Sequence, residues 1–150
     1  MELILWRHAE AEDGIPDSER RLTDKGQKQA KTMAAWLKPR LPKNTRILVS
    51  PTMRTRQTAA ALDDAFEISE EIGPGVSAKA ILTAAGWPDG DGAVVVVGHQ
   101  PTLGETAAWI LSAKTPSWNI RKGAAWWFTH KTRNGVGEIF LHAAMSPDMA

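Results

Sequence analysis

The segment that decides the fold is residues 2–8, whose sequence is ELILWRH. An unbroken apolar run without polar alternation is typical of a strand that is buried on both faces of a sheet. Arg7 and His8 then lie at the carboxyl end of that strand, where open parallel sheets place their ligands. These two residues either mark the point where the strand reaches solvent or begin a functional site, and the later motifs decide between the two interpretations.

A second apolar run also ends on residues that can do chemistry. Arg46–Val49 is predicted to be a strand, and Ser50 after it is a good N-cap for a helix that has Pro51 at its first position. Arg54 lies about one turn into this helix, whereas Arg56 is about 200° further round the helix axis. One arginine can therefore point toward a ligand while the other faces solvent.

The strongest strand signal in the chain is Ala93–Val97, which leads directly to His99. The other elements follow from apolar periodicity and turn residues. They are helices near Asp24–Lys38 with Thr23 or Asp24 as N-cap, Ser77–Ala85, and Leu103–Leu111 with Thr102 as N-cap, a short strand at Phe66–Ser69, and strands Ala124–His130 and Gly137–His142 around an Asn134-Gly135 turn. This order predicts an α/β fold, a three-layer sandwich with a mostly parallel mixed sheet and a C-terminal antiparallel hairpin, in a single domain spanning residues 1–150.

The composition excludes several classes of protein. With 18 Lys and Arg against 17 Asp and Glu, the net charge of +1 gives no general case for nucleic-acid binding. No apolar run approaches the roughly 20 residues of a membrane span. The absence of cysteine excludes disulfides, thiolate catalysis and cysteine-ligated metals. We therefore expect a cytoplasmic protein without nucleic-acid or membrane partners, and a monomer is the default expectation.

If the three strands run parallel, their ends bring Arg7, His8, Arg54 and His99 into one crevice. Two guanidinium groups beside a helix N-terminus favour a dianion, because arginine binds phosphate through two parallel hydrogen bonds and stays charged. Like-charge repulsion keeps a histidine among these cations neutral, and neutral imidazole is a nucleophile that can form a covalent phospho-enzyme. The arginines would stabilise the transition-state charge, so no metal ion or other cofactor is expected.

In their order and spacing, these motifs resemble the histidine phosphatase (phosphoglycerate mutase-like) superfamily. The family's Arg-His-Gly after the first strand corresponds to Arg7-His8-Ala9, its Ser-x-x-x-Arg-x-x-Gln-Thr helix start to Ser50–Thr58, its later Gly-His to Gly98-His99, and its Arg-Pro-Leu-Thr to Arg20–Thr23 with Arg21 in place of proline. The short chain, the Arg-His-Ala-Glu-Ala opening and Met145-Ser146-Pro147 near the end resemble the SixA-type phosphohistidine phosphatases. Each motif alone is weak, whereas the ordered set is a strong indication.

The resemblance implies a role for each matching residue. His8 would be the phosphorylated nucleophile, and Arg7 and Arg54 would clamp the phosphoryl group. His99 would contact the same phosphoryl oxygens and assist proton transfer. Arg20 is a further candidate for phosphate binding.

The proton donor for the leaving group is not identified by the resemblance. Gln100 stands where acid-phosphatase relatives place an Asp, and Glu70 or Glu71 matches the Glu of mutase-like relatives only loosely. A phosphoramidate leaves through an imidazole nitrogen, which depends less on a strong acid than an alkoxide does. The missing acid therefore favours phosphohistidine as the substrate.

Three functions fit this site. The first is a metal-independent phosphatase that acts through a phosphohistidine intermediate on the phosphohistidine of a protein domain, such as a histidine phosphotransfer module. The alternatives are a small-molecule phosphomonoesterase with the same His/Arg site and a phosphoryl-binding module without turnover. A metal site built from Glu10 and Glu12 with His8 and His99 is disfavoured, because it leaves the arginines unexplained.

Overall fold

The computed structural model of the chain describes all 150 residues and contains six strands and four α-helices. The strands are β1 Glu2–Arg7, β2 Arg46–Val49, β3 Glu67–Ile68, β4 Ala93–Gly98, β5 Ala125–Arg133 and β6 Val136–Met145. The α-helices are α1 Asp24–Leu37, α2 Met53–Ala60, α3 Ala78–Ala85 and α4 Thr102–Ile110, and short 3-10 helices span Asp17–Glu19 and Glu70–Ile72. No helix combines the length and the hydropathy that crossing a bilayer requires.

The strands form one sheet in the order β3-β2-β4-β1-β5-β6. Strands β1, β2 and β3 join the sheet through parallel pairing, with β4 between β1 and β2, whereas β5 is antiparallel to both β1 and β6. Arg7 lies opposite Gly98, and Val49 lies opposite Val97. The carboxyl ends of three neighbouring strands therefore meet at one edge, which confirms the predicted mixed sheet with its C-terminal antiparallel hairpin.

The sheet is covered by helices on both faces, because alternate residues of each central strand point to opposite sides. On β1, Leu3 and Leu5 belong to a core cluster that includes side chains of α3 and α4. Ile4 and Trp6 belong to a second cluster that includes side chains of α1 and α2. Two separate cores divided by the sheet confirm the predicted three-layer sandwich.

The N-terminus of α2 differs from the sequence prediction. The helix begins at Met53 with Thr52 as its N-cap residue, so Pro51 is not its first residue. The side chain of Ser50 does not cap the helix, because its Oγ is hydrogen-bonded to Nε2 of His99 at 2.7 Å. The prediction of Ser50 as N-cap was therefore wrong.

The N-terminus of α4 also differs, whereas that of α1 agrees. Thr23 caps α1 by accepting a hydrogen bond from the backbone N–H of Gly26, as predicted. Thr102 is instead the first residue of α4 and donates its hydroxyl to the carbonyl of Val76. The α4 backbone N–H of Gly104 donates to Oε1 of Gln100 at 2.7 Å, so the glutamine performs the capping that was expected of Thr102.

Candidate active site

The structure brings three of the predicted site residues into direct proximity. His8 follows β1 and His99 follows β4, and their ring centroids are 5.4 Å apart. Arg54 comes from the first turn of α2, and its Nη2 lies 3.4 Å from Nδ1 of His99. Each of the three side chains is at least nine-tenths buried. The parallel topology therefore assembles the cluster that the sequence predicted, and the catalytic roles assigned to its members stay a prediction.

His8 is held with its Nε2 lone pair free. Its Nδ1 lies 2.7 Å from the carbonyl oxygen of Ala9, which can only accept, so Nδ1 carries the proton. The pKa of His8 is lowered to about 4, mainly by burial and also by the charges of Arg54, Arg7 and Arg20, against the opposing effect of the Ala9 hydrogen bond. The imidazole is therefore neutral near pH 7, with an unprotonated nitrogen available as a nucleophile.

His99 is also held as a neutral imidazole with a defined tautomer. A guanidinium has no acceptor, so Nδ1 of His99 accepts from Arg54 and Nε2–H donates to Oγ of Ser50. The pKa of His99 is lowered to about 3, mainly by burial, and also by repulsion from a protonated His8 and from the charge of Arg54, whereas Asp17 opposes the shift. Binding of a dianion between these rings would raise both pKa values, because it adds negative charge next to each.

Asp17 connects two arginines of the site, Arg54 and Arg20. Nη1 of Arg54 donates to the Asp17 carbonyl at 2.8 Å, and Nη2 of Arg54 donates to Oδ2 of Asp17 at 3.1 Å. Nε of Arg20 donates to Oδ1 of the same carboxylate at 3.0 Å. Partial desolvation raises the pKa of Asp17, but the hydrogen bonds from Arg20 and Arg54 outweigh it and lower the pKa overall. Asp17 is therefore an ionised carboxylate at the edge of the cluster.

Arg7 lies beside the cluster rather than within its hydrogen bonds. Its Nη1 donates to the carbonyl of Ile120 at 2.9 Å, and its charge contributes to the low pKa of His8. Burial lowers the pKa of Arg7 itself. Nε of Arg7 and Nε of Arg54 are both buried and have no acceptor within the protein. Unpartnered guanidinium donors on two arginines whose charges act on His8 are suited to an oxyanion.

Two further residues of the Ser50–Thr58 motif, Gln57 and Thr58, position the chain that carries the nucleophile. Oγ1 of Thr58 accepts from the backbone N–H of Ala9 at 3.1 Å and donates to the carbonyl of Arg54. Oε1 of Gln57 accepts from the backbone N–H of Leu22 at 2.7 Å. The motif therefore supplies both a phosphate-binding candidate and two anchors for the chain that follows His8.

Several other residues that the sequence offered for the site lie outside the cluster or make other hydrogen bonds. Arg56 is exposed, as expected for the far side of α2. Glu10 accepts a hydrogen bond from the Thr23 hydroxyl, and no group of three or more His, Asp or Glu side chains is placed to hold a metal ion. Gln100 donates to the carbonyl of Trp118 while capping α4, and Glu70 and Glu71 are exposed on the second 3-10 helix.

Sequence reasoning missed Asp17 and the role of Ser50. Asp17 is one of five acidic residues in the polar segment 10–19, and nothing in its spacing distinguishes it from the other four. The signal for Ser50 was present but was interpreted as helix capping. A serine directly after a strand of a parallel sheet can equally hydrogen-bond to the end of the neighbouring strand, where His99 lies.

Comparison with known proteins agrees with this geometry. A model of the histidine phosphatase superfamily (branch 1) matches residues 3–77. The phosphohistidine phosphatase SixA of Escherichia coli strain K12 is 31% identical over 125 residues, which cover 77% of this chain and 78% of that protein. A solved structure of the protein histidine phosphatase SixA complexed with tungstate is 29% identical, with a TM-score of 0.81 and coverage of 99% of this chain and 98% of that one.

The chain therefore belongs to the histidine phosphatase superfamily and resembles its SixA-type members, which confirms the resemblance inferred from the motifs. Membership defines the general activity as that of a phosphatase. The structure of a phosphoserine phosphatase mutant of Entamoeba histolytica in complex with phosphoserine matches with a TM-score of 0.72, and the match covers 99% of this chain and 98% of that one. At 18% identity this similarity shows the shared fold alone.

Proposed function

We propose that this phosphatase removes the phosphoryl group from a phosphohistidine on a protein domain of the histidine phosphotransfer type, through a covalent intermediate on His8. The main observation in support is the state of His8. Its Nδ1–H donates to the carbonyl oxygen of Ala9, while its Nε2 lone pair is free in the cluster with His99 and Arg54. Two relatives named for phosphohistidine or protein histidine phosphatase activity support the substrate class.

In the first step, Nε2 of His8 attacks phosphorus, and the P–N bond of the substrate breaks as the new P–N bond forms. Charge on the equatorial oxygens is stabilised by guanidinium groups, for which Arg54 and Arg7 supply the unpartnered Nε–H donors. Because these donors are already fixed by Asp17 and Ile120, little reorganisation accompanies the reaction.

The leaving group needs no carboxylic acid from the protein. The imidazole of the substrate departs as a neutral ring when its distal nitrogen carries a proton. Asp17 is ionised by its two arginines and has no proton to give, and the Gln100 amide is engaged at the start of α4. An alkoxide would require such a donor, so this arrangement favours a phosphoramidate substrate.

In the second step, water attacks the phosphorus of the phosphorylated His8. The P–N bond breaks, its electron pair returns to Nε2, and phosphate is released. Nδ1 of His99 accepts from Arg54 in the resting state and is the nearby unprotonated ring nitrogen that can take the proton of the attacking water. The proton then passes to the departing phosphate, and both histidines return to their neutral state.

Phosphate release tests this proposal when three substrates are compared with EDTA present. The substrates are a histidine phosphotransfer domain carrying phosphohistidine, p-nitrophenyl phosphate and phosphoserine, and the proteins are wild type and His8→Ala. We expect kcat/KM to be highest on the phosphohistidine domain, unaffected by EDTA, and lost in His8→Ala.

Each other outcome contradicts a specific part of the proposal. Preference for p-nitrophenyl phosphate or phosphoserine would indicate a small-molecule phosphomonoesterase with the same site. Saturable binding of phosphate without release from any substrate would indicate a phosphoryl-binding module. Loss of activity with EDTA would show that a metal ion takes part.

A further inference from the structure

A polar cleft of about 460 Å³ is lined in part by Arg7, and neither His8 nor His99 belongs to its lining. We call it the Arg7 cleft. All of the side chains that line it are polar or charged except that of Pro147. The charged ones are Arg7, Lys25, Arg121, Lys122 and Asp148. The reaction proposed above uses only the first of these residues.

The Arg7 cleft concentrates positive charge. Four of its side chains are cationic and one is a carboxylate, whereas the whole chain has a net charge of +1, so the remainder of the molecule is net negative. Arg121 pairs with Asp148 at 3.6 Å, and Lys122 lies 4.0 Å from Oε1 of Glu10. Exposed pairs of this kind contribute roughly 0–1 kcal/mol, so these cations can exchange their own carboxylates for those of a partner.

The loop that forms one wall of the cleft is held in place by hydrogen bonds, one of which joins it to the backbone of His8. The backbone N–H of Gly123 donates to the carbonyl of His8 at 3.1 Å, and the indole of Trp6 donates to the carbonyl of Gly123. A Cβ at Gly123 would lie 2.9 Å from Pro147, so the segment after β6 packs closely against this loop. A ligand that spans the Arg7 cleft therefore lies in a fixed relation to Nε2 of His8.

We propose that the Arg7 cleft binds aspartate or glutamate carboxylates that flank the phosphohistidine of the protein substrate. The inference rests on the proposed function, because it places the carboxylates next to the phosphoryl group that His8 receives. The cleft already shows the matching chemistry, since Arg121 and Lys122 each face a carboxylate of this chain. Exposed cations around a reactive site also raise the rate of association with an acidic partner.

The test uses two synthetic peptides that carry one phosphohistidine flanked by glutamates or, at the same positions, by glutamines. The protein variants are Arg121→Ala combined with Lys122→Ala, and a control of Lys43→Ala combined with Lys79→Ala, which removes two exposed lysines outside all ion pairs. All four positions are exposed, so the variants should retain the wild-type melting temperature.

Affinity is measured by fluorescence anisotropy in a His8→Ala background, where turnover cannot consume the peptides, and kcat/KM is measured in parallel with His8 present. We expect wild type and control to favour the glutamate peptide about tenfold at low salt, with the preference shrinking as ionic strength rises. In the Arg121/Lys122 variant we expect less than a twofold preference and an unchanged kcat/KM on p-nitrophenyl phosphate.

Two results would overturn the inference: no glutamate preference in the wild type, or a preference that survives loss of Arg121 and Lys122. Failure of the proposed function is recognised separately. In that case the peptides are not hydrolysed by the enzyme with His8 present, while the binding preference and its dependence on the two cations still decide whether the Arg7 cleft takes carboxylates.

Discussion

At the scale of single residues, Arg54 and Arg56 show how position on one helix separates two identical side chains. They are two residues apart on α2, yet Arg54 is buried against His99 and Asp17 whereas Arg56 is exposed. The angular separation of residues on a helix predicted this difference without any knowledge of the tertiary structure. The two arginines therefore form a matched pair for mutagenesis.

We predict that Arg54→Lys lowers kcat/KM by about 10²-fold, because an ammonium cannot reproduce the forked donors that meet Asp17 and a phosphoryl oxygen. Steady-state kinetics on the phosphohistidine domain measure the effect. The control is Arg56→Lys, which should stay within about twofold of wild type because surface substitutions are usually nearly neutral. Equal losses in the two variants would contradict the assignment of Arg54 to the site.

A second prediction concerns Asp17, whose carboxylate neutralises part of the charge on Arg54 and Arg20. In Asp17→Asn this competing anion is lost, so inorganic phosphate should inhibit at a several-fold lower concentration. The inhibition constant for phosphate at fixed ionic strength is the measurement. Asp13→Asn removes an exposed acid from the same segment without touching an arginine and should leave the constant unchanged. An unchanged constant in Asp17→Asn would show that its carboxylate does not compete with substrate anions.

The residues of the site were predictable to the extent that their positions depend on strand ends. Arg7 is the last residue of β1, His8 follows it, and His99 follows β4, so the order of apolar runs was sufficient to place them. The contact of Asp17 with Arg54 depends instead on the path of the connection between β1 and α1, where Asp17 begins a short 3-10 helix. No periodicity specifies such a path, which is why Asp17 was not distinguished from its acidic neighbours.

At the scale of elements, α2 holds the segment that follows β1 in place through side-chain hydrogen bonds. Thr58 on this helix accepts the backbone N–H of Ala9, and Gln57 accepts that of Leu22. Both bonds fix the segment that carries His8 at its start. The helix therefore couples the stability of the loop to the position of the nucleophile.

We predict that Thr58→Val destabilises the protein by about 1–3 kcal/mol, because it leaves the buried N–H of Ala9 without an acceptor while nearly preserving side-chain volume. Chemical denaturation measures the change, and kcat should fall together with stability because His8 loses its anchor. Thr83→Val on α3 is the control, since Thr83 is exposed and should tolerate the change. Wild-type stability and kcat in Thr58→Val would contradict the role of α2 in holding the segment after β1 in place.

Element type was predictable, but helix capping was less so. Apolar runs and apolar periodicity located the six strands and helices α1, α3 and α4 to within a few residues, because burial on one or both faces of a sheet leaves a strong pattern. The helix α2 was predicted only from Ser50 and Pro51 at its start. The predicted caps of α2 and α4 were wrong because the side chains of Ser50 and Thr102 hydrogen-bond to His99 and to the carbonyl of Val76 instead. A polar side chain next to a helix start can serve either purpose, and only the folded chain decides.

At the scale of the whole molecule, the parallel arrangement of β2, β4 and β1 buries two histidines at one edge of the sheet. Burial lowers the pKa of His8 to about 4 and that of His99 to about 3, while in the unfolded chain both ionise near 6.5. Between these values the unfolded chain binds more protons than the folded chain. Acidification through this window therefore favours unfolding.

We therefore predict that the contribution of the two histidines to the free energy of unfolding has its full value above pH 6.5. This contribution declines as the pH falls toward 4 and then 3. Each histidine contributes a slope of at most about 1.4 kcal/mol per pH unit. Denaturation at a series of pH values measures it, and His8→Asn should show a shallower decline because Asn does not titrate. An equal slope in His8→Asn would contradict the neutral, buried state of His8.

The most direct test of the account is to trap the phosphorylated enzyme during turnover. The phosphatase is mixed with a phosphotransfer domain labelled with ³²P on histidine, quenched in alkali, and analysed by peptide mapping. We predict a transient label on His8 that is stable to alkali, labile to acid and absent from His8→Ala. Rapid phosphate release with no label on His8 at any time, or label on another residue, would contradict it.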